Sequence, residues 1–197
     1  MKQLRVGMIG LCIAFSACLV TARESFKDKP LEFQPPAAAV HGADIEVWFS
    51  PNGGCTAAVI HELDNATRQI RIQAYSFTST QINAAVAKAK ERGVDVEVVL
   101  DKSQAEERYT AATYLTHHNV PVYIDRKHAI AHNKIMIIDG QEVIGGSFNY
   151  TQQAERDNAE NLTITRSPEL AAAYLRNFEL HKEHSEPYSG GQNPSSK

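Results

Sequence analysis

The chain predicts an α/β domain, an α/β/α sandwich built on a mixed β-sheet. Two observations carry this. From Asp44 onward, short β-branched runs alternate with helical runs, the pattern of strands joined by crossover helices. Asp139–Gly140 then separates two apolar runs with the residues a tight hairpin turn requires, which places antiparallel strands in the same sheet.

Lys2 and Arg5 precede an apolar run from Val6 to Val20 that is short for a bilayer span, and Val20–Thr21–Ala22 supplies small residues ahead of a cut. Residues 1–22 therefore have the layout of a secretory signal peptide, and the expectation is an exported protein, periplasmic or secreted. Cys18 follows Phe15–Ser16–Ala17, where lipid attachment would call for a branched aliphatic residue in place of Phe15. No stable membrane association is expected after cleavage. Residues 23–43, with Pro30, Pro35, Pro36 and an alanine run, read as a linker or N-terminal arm.

Asp44–Phe49 and Gln69–Tyr75 have strand composition on either side of a helix over Cys55–Ala66. Thr78 to Gln81 forms a capping box, and Ile82, Val86 and Ala89 recur at helical spacing until Gly93 stops the helix. A strand over Asp95–Leu100, a helix over Ala105–His117 and a strand over Val120–Ile124 follow. Asn133–Ile138 and Glu142–Gly145 form the hairpin, then comes a strand over Asn161–Thr165. Ser167–Pro168 caps a last helix running toward His184. The domain spans 44–188, and 189–197 reads as a disordered tail.

At 43% hydrophobic and 22% charged residues, the composition suits one well-filled core. Without Lys2 and Arg5 the chain has 18 basic against 23 acidic residues, a net of about −5, which argues against a broad nucleic-acid-coating surface. A local basic cleft formed by Arg126, Lys127 and Lys134 remains compatible with that balance. Cys12 and Cys18 fall in the signal, so Cys55 stands alone in the mature chain and an intramolecular disulfide is excluded. A buried small hydrophobe is its expected role.

The hairpin also carries the chemistry, as His132-x-Lys134, four intervening residues and Asp139, then Gly145–Gly146–Ser147–Phe148–Asn149. A two-residue turn pairs Ile138 with Gln141, Lys134 with Gly145 and His132 with Ser147. Directly opposed residues share a sheet face, so His132, Lys134, Gly145 and Ser147 should project together, with Asn149 a step further. Gly145 would leave room for a phosphate oxygen opposite Lys134. A slip of one residue would separate these groups. A neutral imidazole can attack phosphorus, an ammonium can neutralise the equatorial oxygens, and hydroxyl and amide groups add fixed donors. No HExxH spacing or acidic cluster competes for the site, so neither a metal nor a cofactor is expected there.

These residues resemble the signature of the phospholipase D superfamily, with Gly146–Ser147–Phe148–Asn149 one residue shorter than the usual GSxxN-like element. Trp48–Phe49–Ser50–Pro51, Ala74–Tyr75–Ser76–Phe77–Thr78, Arg92–Gly93–Val94–Asp95–Val96 and Ile130–Ala131–His132–Asn133–Lys134 narrow it to small secreted bacterial endonucleases with one such motif. The similarity runs from about Ile45 to Thr165. It implies a phospholipase D-like fold, His132 as nucleophile, Lys134 and Asn149 as phosphate ligands and Ser147 binding phosphate nearby. It also implies Glu160 as a carboxylate orienting the histidine. Asp139 belongs to the catalytic motif, yet the turn chemistry assigns it a structural task.

Histidine displacement leaves an alkoxide that needs a proton from a second group. Related enzymes with two motifs draw it from the second copy, and this chain has one. A two-fold homodimer that brings two copies of His132 to one site supplies the missing group. The expected function is therefore metal-independent hydrolysis of DNA, with RNA as a second candidate, through a phosphohistidine intermediate. A phospholipase D or phosphatidyl transferase is the rival within enzymes, and a non-catalytic nucleic-acid-binding protein is the rival outside them. His181 and His184 stand three apart on the last helix among Glu179, Lys182 and Glu183, which suggests a solvated face. His117–His118 suits a helix C-terminus, and His128 lies near the motif but outside its alternation.

Overall fold

The computed structural model describes residues 38–39, 44–106 and 110–190. The expected signal peptide, most of the expected arm and the tail from 191 lie outside the described residues.

In chain order the elements are β1 (Ala38–Ala39), β2 (Ile45–Ser50), α1 (Cys55–Asn65), β3 (Gln69–Ala74), α2 (Thr80–Glu91), β4 (Asp95–Asp101), α3 (Ser103–Glu106) and α4 (Ala111–His117). Then follow β5 (Val122–Asp125), β6 (Lys134–Ile138), β7 (Glu142–Gly146), α5 (Gln152–Arg156), β8 (Glu160–Arg166), α6 (Pro168–Glu183) and β9 (Glu186–Pro187). The strands form one mixed sheet in the order β1-β2-β8-β7-β6-β3-β4-β5-β9. The β3, β4 and β5 strands are parallel, while β2, β8, β7, β6 and β3 pair antiparallel in succession. The expected α/β/α sandwich with a mixed sheet is what forms.

Both sheet faces are covered. Cys55, Val59 and Leu63 of α1, Ile82 and Val86 of α2 and Leu115 of α4 pack with Trp48, Ile70, Ile72, Leu100, Met136 and Ile144 in the larger core. On the other face Ala171 and Phe178 of α6 meet Val99, Ile137 and Val143. Alternate strand residues point to opposite sides. The face under α1, α2 and α4 is apolar, whereas under α6 β3 and β4 also bury charge, with Arg71 paired to Asp95 and Glu97 and Lys182 of α6 paired to Glu97.

The strand directions fix where chemistry can sit. The carboxyl ends of β2, β3, β4, β5 and β7 and the amino ends of β6 and β8 share one edge of the sheet. Lys134 and Glu160 begin β6 and β8, so both stand on that edge. Asp139 stands at the opposite edge, five residues along from Lys134, or about 16 Å at the usual rise.

The turn forms as expected but the register does not. Asp139 and Gly140 have φ of 54° and 64°, and the Gln141 N–H donates to the Ile138 carbonyl at 2.9 Å, as in a type I′ turn. Yet Ile138 pairs with Glu142 and Met136 with Ile144. Gln141 is an extra residue, a bulge, and its carbonyl accepts from the Ser167 N–H at 2.9 Å. The shift puts Gly145 on the α6 face, where an added Cβ would meet Ile135 Cδ1 at 3.1 Å. It is therefore not the vacancy opposite Lys134 that the simple hairpin predicts.

Other differences are local. The helix expected over 105–117 is two pieces, α3 and α4, with 107–109 outside the described residues. Ser79, not Thr78, caps α2, accepting from the Ile82 N–H at 3.4 Å, so the expected capping box does not form. Ser167 and Pro168 start α6 as expected. The unexpected α5 supplies Glu155, whose carboxylate accepts from the Gly54 and Thr56 N–H groups at 3.1 and 2.7 Å and so satisfies the start of α1. Cys55 beside it is fully buried, and burial with Glu155 nearby pushes its thiol up to about 12, which makes it inert.

Candidate active site

Lys134 pairs with Ala74 at the end of β3, and the Tyr75 N–H donates to the Asn133 carbonyl at 2.9 Å, carrying the pairing toward His132. His132 is exposed, and its ring centroid lies 4.6 Å from that of Tyr75. Lys134 Nζ lies 5.3 Å from the centroid of the same ring and donates to the His132 carbonyl at 3.0 Å. Tyr75 thus supports both groups at once. The loop ahead of them is pinned by Asp101, whose Oδ2 accepts from the Ala131 N–H at 2.7 Å. Burial alone would raise the Asp101 carboxyl, but backbone donors from Ser103 and Ala131 hold it below its usual range. Neither Tyr75 nor Asp101 was singled out for a role by sequence, since nothing local marks a strand-end tyrosine or aspartate as a support for a residue tens of positions away.

Lys134 is only 8% exposed. Burial lowers its pKa, and the Glu160 carboxylate partly offsets that. Glu160 does not reach the imidazole, as the resemblance implies it should. Its Oε2 accepts from Ser147 Oγ at 2.6 Å and its Oε1 from Asn158 Nδ2 at 3.0 Å. Ser147 Oγ also accepts from the Asn161 N–H at 3.1 Å. The serine donor expected to meet phosphate is therefore engaged on Glu160, and serine and carboxylate fix one another. Among the described residues the His132 ring makes no hydrogen bond.

The approach of β7 to β8 explains this arrangement. Gly146 has φ of 139°, and a Cβ there would lie 2.4 Å from the Asn161 carbonyl oxygen. Only glycine fits, and the contact delivers Ser147 to Glu160. Asn149 comes alongside through the bridge of Tyr150 to Phe77, with the Tyr150 N–H donating to the Ser76 carbonyl at 3.2 Å. Asn149 Oδ1 is buried without a partner among the described residues, so with the His132 ring it is an uncommitted polar group of the cluster.

Asp139 takes no part in this edge. Its Oδ2 accepts from the Thr67 N–H and Oγ1 at 2.9 and 2.8 Å, and its Oδ1 from the Arg68 and Gln69 N–H groups at 2.7 and 2.9 Å. Its place among the catalytic residues is thus corrected to a fastening between the hairpin turn and the start of β3. Of the residues expected to form a basic cleft, Arg126 is paired with Glu186 at 3.1 Å, Lys127 is exposed and Lys134 is buried. His181 and His184 do not form a solvated face either: both rings turn onto the fully buried Asp125, together with His128.

A histidine, a buried lysine and a carboxylate-held serine on the rim of a mixed sheet are the equipment of a phosphodiesterase. Comparison with known proteins gives the same class. The family profile described as "Cardiolipin synthase, PLD-like domain" matches residues 59–182. A phospholipase D of Rickettsia conorii is 39% identical over 134 residues, covering 68% of this chain and 67% of the relative. A mitochondrial cardiolipin hydrolase of Xenopus tropicalis is 30% identical over 193 residues, covering 93% and 90%. The crystal structure of Nuc from Salmonella typhimurium, a phospholipase D family member, superposes with a TM-score of 0.70 at 35% identity, covering 73% of this chain and 97% of Nuc. The chain belongs to the phospholipase D superfamily and is a phosphodiesterase.

Proposed function

We propose that the protein is an exported endonuclease that hydrolyses DNA, with RNA as a second candidate, through a phosphohistidine intermediate formed without a metal. The observation that carries this reading is the exposed His132 imidazole held over Tyr75 with the buried Lys134 ammonium beside it. A ring nitrogen of His132 attacks phosphorus, a P–N bond forms and the P–O bond to the leaving strand breaks. Lys134 and the Asn149 amide hold the charge on the remaining oxygens. The departing oxygen takes its proton from a charged His132 of the partner subunit in a two-fold dimer. That second imidazole, now neutral, removes a proton from the water that breaks the P–N bond. Glu160 serves by holding Ser147 and steadying Lys134. The exposure of His132, Ser147 and Lys127 suits a long polymer lying along the rim of the sheet.

A lipid phosphodiester is the second reading, favoured by the relatives named phospholipase D and mitochondrial cardiolipin hydrolase. Supercoiled plasmid and vesicles of phosphatidylcholine or cardiolipin, each incubated in EDTA with wild type and His132→Ala, separate the two. Plasmid nicking by wild type alone, with a bell-shaped pH–rate profile, is the expected result. Lipid turnover without nicking would replace DNA as the substrate, and full activity from a sedimenting monomer would remove the shared site.

A further inference from the structure

We propose that Asp125, His128, His181 and His184 form a binding site for one divalent transition-metal ion, zinc by preference, that fastens the C-terminal helix to the loop leading into His132. Asp125 ends β5 and is fully buried. Three imidazole nitrogens approach its Oδ2: His128 Nδ1 at 2.8 Å, His181 Nδ1 at 3.0 Å and His184 Nε2 at 3.3 Å. A carboxylate oxygen offers about two lone-pair sites, so three ring nitrogens are one more than hydrogen bonding can use well. The carboxylate is itself held from behind, where Oδ1 accepts from the Lys127 and His128 N–H groups at 3.0 and 3.2 Å. The rings converge as ligands do, with centroids 4.9, 5.2 and 5.4 Å apart.

The spacing fits a small tetrahedral ion. One ligand atom from each residue lies within 4.8 Å of all the others. A tetrahedral ion with bonds near 2.0–2.1 Å has ligands roughly 3.3 Å apart. The three nitrogens already stand at 2.8, 3.0 and 3.3 Å from Oδ2, and seating the ion requires the wider separations, up to 4.8 Å, to close by rotation of the imidazoles. Three imidazoles and a carboxylate suit zinc and also accept copper or nickel, while magnesium and calcium call for oxygen ligands.

The position gives the ion a structural task. Asp125 lies three strands from Lys134 along the sheet, about 14 Å at the usual strand spacing, and on the face that α6 covers. Bound there, the ion would join residues 125–128 to residues 181–184, with Asp125 lying 56 and 59 positions before the two helix histidines. His128 belongs to the segment between β5 and β6 that ends at His132, and its carbonyl accepts from Lys102 Nζ at 3.2 Å. The site leaves the His132 chemistry free of metal, and it stands whether DNA or lipid is the substrate.

The test uses the full-length mature protein without a histidine tag, stripped by chelation and then titrated with zinc alone by calorimetry and with cobalt alone by visible absorption. Expected are one zinc per chain, the intense bands of tetrahedral cobalt, and a melting temperature several degrees higher with zinc. The double variant His181→Gln/His184→Gln should bind zinc at least about 100-fold more weakly. Absence of stoichiometric zinc, cobalt bands of an octahedral ion, or unchanged binding in the variant would each overturn the assignment. Should the variant fail to fold, the cobalt spectrum of the wild type decides alone.

Discussion

Replacing Asp139 by Asn separates membership of the catalytic motif from participation in catalysis. Its carboxylate accepts four hydrogen bonds, two on each oxygen, and its φ of 54° is one that Asn tolerates nearly as well. The amide retains one accepting oxygen, so two bonds to a charged acceptor are lost and an NH2 group faces their donors. At about 1 to 2 kcal/mol for each, the expected loss of stability is about 2–4 kcal/mol. A domain stable by about 5–15 kcal/mol still folds. Burial would raise this carboxyl, but the Gln69, Thr67 and Arg68 donors outweigh it and hold it below the usual carboxylate range. Such a group stabilises above its unfolded pKa and loses that contribution as pH falls through the lower folded value. The deficit of Asp139→Asn should therefore be full at neutral pH and shrink in acid. Urea unfolding of both proteins across that range measures it, and turnover of a chromogenic phosphodiester at 25 °C should stay within about threefold of wild type. A variant of normal stability whose turnover falls 100-fold would refute the structural assignment.

Burial and the Glu62 carboxylate push Glu142 up to about 7 from 4.5, despite Arg166 at 3.1 Å. A folded pKa above the unfolded one gives stability that is present below the unfolded value and lost as pH rises through the folded one. Glu142→Gln should therefore flatten the decline in melting temperature between these pH values and gain about 1–2 kcal/mol at pH 8. An unchanged pH profile of melting would count against it. Gly146→Ala drives a Cβ against the Asn161 carbonyl, and we expect an activity loss of at least about 30-fold, with stability down by about 2–3 kcal/mol in thermal melts. Tyr75→Leu removes the ring under His132 and Lys134, and we expect kcat to fall about tenfold with stability little changed, read from steady-state kinetics.

The sequence reveals the layers of the fold because strands and helices alternate with clear periods, and Asp139–Gly140 does make the turn it promises. The register was not legible, because a bulge at Gln141 depends on Ser167 claiming its carbonyl from a distant part of the chain. The same limit applies to the site. His132 and Lys134 announce themselves by spacing, whereas the attachment of Glu160 to Ser147 instead of His132 depends on how closely β7 meets β8. His181 and His184 looked solvated because their neighbours on the helix are charged. What turns the two rings inward is Asp125, 56 positions before His181 and unremarkable in its own segment.

One outermost strand bears on what can be added to this sheet. The β9 strand is two residues long and includes Pro187, which has no N–H to offer. Such a margin resists the lateral addition of a foreign strand and so guards that side against runaway sheet growth. The proposed dimer would find little to pair with there, whereas the rim from which β6 and β8 begin presents the exposed His132 and Ser147 to whatever meets the strands end-on.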